Sequence, residues 1–234
     1  MSEASRTARL IESRPLSPEI KHFIFEVPEV ETLDFLPGQF VSFTDELKGK
    51  RVTRAYSIAS QPVANRFELC LNLVDDGHFS PHLFAMKPGE TVPMKGPLGT
   101  FTLREPVRDS IMVATGTGIA PFRGMLRDIL ARDAEHQFTL IFGARFEHGL
   151  AFAEEFAELA AQHANFRFLA TVTRPGDAWR GAVGRVQPLL VDALGDRRDF
   201  HVYACGLKAM VEDVRTILKE RGYDRKQFIS EKYD

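Results

Sequence analysis

The chain changes rhythm once, at Glu105-Pro106, and that change limits what it can fold into. Before it, short β-patterned runs follow one another at residues 7–13, 21–27, 39–44, 56–59 and 66–74. In the second run Phe23 and Phe25 flank Ile24, the two-residue period of a strand with one buried face. Pro37-Gly38, Gln61-Pro62, Asp76-Gly77, Pro88-Gly89 and Gly96-Pro97 punctuate these runs with turn chemistry. Regular strands and turns predict an antiparallel barrel or sandwich, interrupted by one short helix near residues 80–86. After the boundary, apolar runs at 111–114, 138–142, 166–172 and 201–204 alternate with helical patterns, the first through Met125, Leu126, Ile129 and Leu130 and the others at 152–162, 186–194 and 207–221. Strands alternating with helices predict a parallel sheet with helical crossovers.

Length agrees with this division. At 234 residues the chain suits two domains of about 100–130 residues each, read as 1–105 (β-barrel) and 106–234 (α/β). A net charge of −2 favours neither nucleic acid nor an anionic membrane as partner. The two cysteines, Cys70 and Cys205, lie far apart and outside any C-x-x-C pair. That excludes a zinc ribbon and a plant-type iron–sulfur domain, which need four ligands at set spacing. The first residues lack an apolar leader, and no apolar run approaches the ~20 residues that span a bilayer. The expected location is therefore cytoplasmic.

Two motifs carry chemistry. Arg54-Ala55-Tyr56-Ser57 follows a basic loop (Lys48, Lys50, Arg51) and opens a barrel strand. On a strand Arg54 and Tyr56 share a face, and Ser57 turns to the other. A guanidinium, an aromatic ring and a hydroxyl so placed can meet a phosphate, a flat ring and a polar ring edge, which suits a flavin nucleotide. Downstream, Thr115-Gly116-Thr117-Gly118-Ile119-Ala120-Pro121 links a strand to a helix. Glycines there let the backbone approach a pyrophosphate, and the helix start offers free N–H groups. The common dinucleotide pattern G-x-G-x-x-G has a third glycine where this chain has Pro121, so this is a different nucleotide turn. Proline is tolerated in a first helical turn.

Taken with Gly77-His78-Phe79-Ser80, Tyr203-Ala204-Cys205-Gly206 and Glu231-Lys232-Tyr233, these motifs occur in the order seen in one family. The chain resembles the ferredoxin/flavodoxin–NADP⁺ reductases across nearly its whole length. The resemblance implies an FAD-binding barrel and an NAD(P)-binding domain, working as an oxidoreductase that exchanges electrons with ferredoxin, flavodoxin or a similar protein. It implies that Arg54, with Ala55 between, pairs with the FAD pyrophosphate, that Tyr56 stacks on the isoalloxazine and that Ser57 hydrogen-bonds near N5. Gly77, Phe79 and Ser80 would hold flavin phosphates; Ser80 read locally is equally an N-cap ahead of Pro81. Thr115, Gly116, Thr117, Gly118 and Pro121 would take the NAD(P)H pyrophosphate, with Cys205 and Gly206 beside the nicotinamide. Glu231 would balance charge at the flavin edge. Tyr233 would stack on FAD, at the flavin or the adenine, although Asp234 follows it where plant-type members end on tyrosine.

A 2′-phosphate needs cations at the adenosine end. Arg145 and Arg174, after the second and third strands of the α/β domain, are the candidates, with Arg180 and Arg185 either spare cations or solvated surface. NADPH is the favoured cofactor, and NADH stays open because family members using it also carry Arg-Pro after the third strand. Two alternatives share the fold: a reductase of free flavin, and a flavin-carrying subunit of a larger oxygenase or dehydrogenase.

Overall fold

The structure, a computed structural model, describes residues 5–47, 49–74, 76–77 and 79–233. Packing divides it into two compact units, Met1–Thr102 with Ala120–Asp128, and Leu103–Ile119 with Ile129–Asp234.

Unit 1 is built on six antiparallel strands. They are β1 (Arg6–Pro15), β2 (Ile20–Glu26), β3 (Phe40–Leu47), β4 (Lys50–Ser57), β5 (Arg66–Asn72) and β6 (Thr91–Leu98), in the order β4-β3-β6-β1-β2-β5. A bridge between Ile58, just past β4, and Leu69 of β5 joins the two edges and rolls the sheet towards a barrel. The alternation of β2 is realised: Phe23 and Phe25 are fully buried and Ile24 is half-buried. Phe25 lies 5.3 Å from Phe43 and 5.5 Å from Phe67, ring centre to ring centre. Each such ring removed from water is worth about 1.5–3 kcal/mol, so this cluster is the main driving force of the unit. The one helix here, α1 (Ser80–Ala85), falls where the sequence predicts it.

Three local expectations change. The strand bearing Arg54 begins at Lys50, so Lys50 and Arg51 belong to a β3–β4 hairpin (Glu46 opposite Arg51), and the tetrapeptide closes β4 instead of opening it. Residues 50–55 are mostly exposed, and a strand without a buried face reads as a loop. Lys48 lies outside the described residues. Residues 91–98, β6, were not foreseen as a strand; Pro93, Gly96 and Pro97 interrupt the strand pattern there. Ser80 is not an N-cap: that geometry falls on Phe79, and the Ser80 hydroxyl turns back to Val74.

Unit 2 carries an all-parallel sheet. Its strands are β7 (Ser110–Thr115), β8 (Phe138–Ala144), β9 (Phe166–Val172), the two-residue β10 (Ala182–Val183), β11 (His201–Leu207) and β12 (Phe228–Tyr233). The order is β10-β9-β8-β7-β11-β12. Helices α3 (Ala153–Gln162), α4 (Val186–Leu194) and α5 (Lys208–Glu220) provide crossovers; α2 (Ala120–Arg132) follows β7 and contributes Ala120–Asp128 to unit 1. β7 and β8 are buried along almost their whole length, as central parallel strands must be. β12 was not foreseen as a strand; its pairing is with β11, far back in the chain. Among the described residues no helix is long and apolar enough to cross a membrane.

Candidate active site

In unit 1, the β3–β4 register sets Arg54 opposite Phe43, Tyr56 opposite Val41 and Ser57 opposite Phe40. Arg54 is exposed; its guanidinium donates to the Thr53 carbonyl at 2.8 Å and makes no ion pair among the described residues. Tyr56, on the same face, is half-buried, with its ring 5.8 Å from Phe43 and 6.3 Å from Phe79. Burial pushes its phenol up to about 12, against the pull of the Arg54 charge, so it stays neutral through the physiological range. Ser57 is buried on the opposite side and Ala55 is exposed. A forked cation beside a pinned, neutral ring is the arrangement an aromatic nucleotide with phosphates requires, and among the described residues no carboxylate competes for the fork.

The segment Gly77-Phe79-Ser80 has less to offer. The Gly77 N–H donates to the Val74 carbonyl at 2.8 Å, and the Val74 N–H donates to Ser80 Oγ at 3.0 Å. The Phe79 ring is buried against Phe43. These atoms fold the loop onto itself, which leaves chiefly the Phe79 and Ser80 backbone for a ligand. His78 is outside the described residues.

In unit 2 the parallel sheet reverses its order between β7 and β11, the position where open α/β sheets bind ligands beyond the strand carboxyl ends. The glycine turn leaves β7 there and Cys205-Gly206 ends β11 beside it. Gly116–Ile119 form one 3₁₀ turn that runs directly into α2, with Pro121 in its first turn. A Cβ on Gly118 would collide with the Cys205 carbonyl, and one on Gly206 with Thr115. Gly116 and Gly206 also hold φ of +55° and +133°, which L side chains rarely adopt. Thr115 Oγ1 accepts from the Leu207 N–H at 3.1 Å and ties the two strand ends together. Gly118 and Gly206 thus let the turn pack directly on the end of β11, and Gly116, with open space where a Cβ would stand, leads into a helix start of the kind that suits a pyrophosphate.

Cys205 is fully buried, opposite Glu231 on β12. Burial pushes its thiol far up, the Glu231 charge adds to this, and a hydrogen bond with Tyr233 opposes it. It is therefore a neutral thiol at physiological pH, packed inside the sheet, and lacks the thiolate character of a nucleophile. Sequence reasoning set Cys205, Glu231 and Tyr233 as separate candidates; the β11–β12 pairing brings them together. Leu207 was missed, since only its backbone takes part.

Arg145 and Arg174 follow β8 and β9 and are laced by backbone: Arg174 N–H donates to the Arg145 carbonyl at 2.8 Å, and Thr173 N–H to that of Ala144 at 3.1 Å. Both guanidinium groups are exposed and make no ion pair among the described residues. Beside them Glu147 accepts from the Gly176 N–H at 2.6 Å, and backbone hydrogen bonds hold its carboxyl below the usual range.

Comparison with known proteins identifies the two domains. The oxidoreductase FAD-binding domain family matches residues 7–103, and the oxidoreductase NAD-binding domain family matches residues 112–216. Ferredoxin–NADP reductase B of Sorangium cellulosum (strain So ce56) is 40% identical over 97% of both chains. The chain belongs to the ferredoxin–NADP⁺ reductase family. It is an oxidoreductase assembled from an FAD-binding and an NAD-binding domain. The electron transfer component of toluate 1,2-dioxygenase from Pseudomonas putida is 31% identical over 99% of this chain and 68% of its own. Among solved structures, a ferredoxin NADP⁺ reductase from Neisseria gonorrhoeae with bound FAD and NADP superposes with a TM-score of 0.82 at 24% identity, covering 97% of this chain and 98% of that one. That likeness is one of fold.

Proposed function

We propose that this family member moves hydride between NADPH and bound FAD, and exchanges electrons singly with ferredoxin, flavodoxin or a similar protein. The observation that carries this reading is the glycine turn at the sheet's reversal point, packed on the end of β11 through Gly118 and Gly206 with Gly116 facing open space, in a chain that also presents the Arg54–Tyr56 pair. The identity to a ferredoxin–NADP reductase supports the acceptor class. FAD, when bound, supplies the conversion between two-electron and one-electron chemistry.

The residues bind and orient. Arg54 neutralises the flavin phosphates, Tyr56 supplies the stacking surface, Ser57 offers a hydroxyl near N5, and Phe79 and Ser80 contribute backbone, with Gly77 shaping the loop that carries them. Thr115, Gly116, Thr117, Gly118 and Pro121 shape the pyrophosphate turn, and Cys205 with Gly206 aligns the nicotinamide. Glu231 holds a charge and Tyr233 a ring at the same strand ends. Arg145 and Arg174, which make no ion pair among the described residues, favour a 2′-phosphate and hence NADPH over NADH. On this reading residues 1–105 are the FAD domain and 106–234 the NAD(P) domain. Two unpaired thiols suit a reducing cytoplasm.

The test is purification followed by an acceptor assay. Protein that keeps FAD through gel filtration and reduces ferredoxin or flavodoxin with NADPH supports the reading. A colourless protein that reduces only added free flavin replaces it with the flavin-reductase alternative.

A further inference from the structure

The face that α2 buries is apolar, with Phe122, Met125 and Leu126 fully covered, yet Arg123 among them is only 4% exposed. A buried guanidinium without partners costs several kcal/mol, so its contacts have to be strong ones. Arg123 Nη1 donates to Glu68 Oε2 at 2.6 Å and to the Ala59 carbonyl at 2.9 Å. Glu68 also meets His22 Nε2 at 2.8 Å. Arg14 Nε, which can only donate, lies 3.2 Å from His22 Nδ1, so that nitrogen accepts and the Nε2 proton points at Glu68. Burial alone would raise the Glu68 carboxyl; the His22 hydrogen bond and then the Arg123 charge outweigh it and hold it at about 2. The next residue, Gly124, adds a second and independent constraint: a Cβ there would strike the Ser60 carbonyl. All these groups lie within unit 1. Two contacts of different kinds thus pin the first turns of α2 to the backbone of Ala59-Ser60, which continues the strand carrying Tyr56 and Ser57.

We propose that Arg123 is a positioning residue for the nucleotide, acting through Glu68 and the Ala59 carbonyl to fix the rotation and axial position of the start of α2. The glycine turn leads directly into that start, and the free N–H groups of the first turn of α2 point where Arg123 lets them. An ion pair suits this task better than an apolar contact because hydrogen bonds are directional. Stability alone does not explain it, since well-packed apolar residues usually match or exceed a buried ion pair in stability. The inference rests on the reading that this turn takes the pyrophosphate of NAD(P)H.

Calorimetric titration of NADP⁺ into the FAD-loaded protein tests it, with FAD content and thermal midpoint recorded for Arg123→Met, Glu68→Gln and the apolar pair Arg123→Met/Glu68→Leu. The expected result is a Kd raised about tenfold or more in each variant, because small misplacements of binding groups are costly. In the apolar pair the thermal midpoint is expected to recover while the Kd does not. An unchanged Kd in FAD-loaded Arg123→Met overturns the proposal. So does a Kd that recovers together with the midpoint in the apolar pair, which would make the role purely structural. Should Arg123→Met yield no soluble protein, Glu68→Gln carries the test by the same criterion. Wild-type protein that holds FAD but binds neither NADP⁺ nor NAD⁺ would defeat the functional reading itself, and this assignment with it.

Discussion

Single side chains set cofactor choice on the proposed reading, and Arg145 is the clearest case. Its guanidinium is exposed, lies 6.0 Å from the Phe146 ring centre and makes no ion pair among the described residues, and its backbone carbonyl accepts from the Arg174 N–H. A charge-assisted contact to a phosphate is worth about 1.5–3 kcal/mol. Arg145→Ala is therefore expected to lower kcat/KM for NADPH by roughly 10- to 100-fold and to leave that for NADH nearly unchanged. An unaltered preference would remove Arg145 from the adenosine site. Cys205 gives the complementary expectation. Its thiol is held protonated by burial and the Glu231 charge, and burial likewise pushes the Cys70 thiol up to about 12. Neither cysteine should react with iodoacetamide at mildly alkaline pH until the protein is unfolded. Rapid alkylation of native protein at Cys205 would show that the strand end is open and would revise its packing role.

At the scale of elements, the β3–β4 hairpin presents Lys50 and Arg51 to solvent next to Arg54, and the electronegative surface of a ferredoxin is the partner such a strip would steer. Reversing Lys50 and Arg51 to glutamate is expected to weaken ferredoxin reduction and flatten its salt dependence while sparing ferricyanide reduction. A salt profile identical to wild type excludes the hairpin from docking. The same hairpin shows where a sequence stops being legible. β2 could be read because Phe23 and Phe25 bury one face, and β7 and β8 because each centres on an apolar run. β4 could not, because its first residues bury almost nothing and its extent comes from pairing with β3. β12 is fixed by β11, more than twenty residues upstream, and parallel pairing leaves no local turn to announce it. The candidate site divides in the same way. The glycine turn is a local motif and was legible, whereas the approach of Gly118 to Cys205, the Thr115–Leu207 bond and the Cys205–Tyr233 contact depend on sheet order. Arg123 left a signal that went unread: a single charge on an otherwise apolar helical face.

For the molecule as a whole, the Glu68 cluster links stability to pH. The folded carboxyl titrates at about 2 against an ordinary 4.5, so its contribution is complete above that ordinary value and is lost as pH falls towards 2. The loss is on the order of 2 kcal/mol, and Glu68→Gln should flatten the fall in thermal midpoint across that acid window. A variant with the wild-type slope would assign acid sensitivity to other groups. The central claim, however, is that one chain brings a reducible flavin and a nicotinamide nucleotide into a single reaction. The most direct measurement is an anaerobic titration of the purified protein with NADPH and, separately, NADH, following the visible flavin absorbance. The account expects a flavin spectrum from the start, bleached near stoichiometrically by NADPH and less readily by NADH. A protein with no flavin spectrum, or a bound flavin that neither nucleotide bleaches, would contradict it.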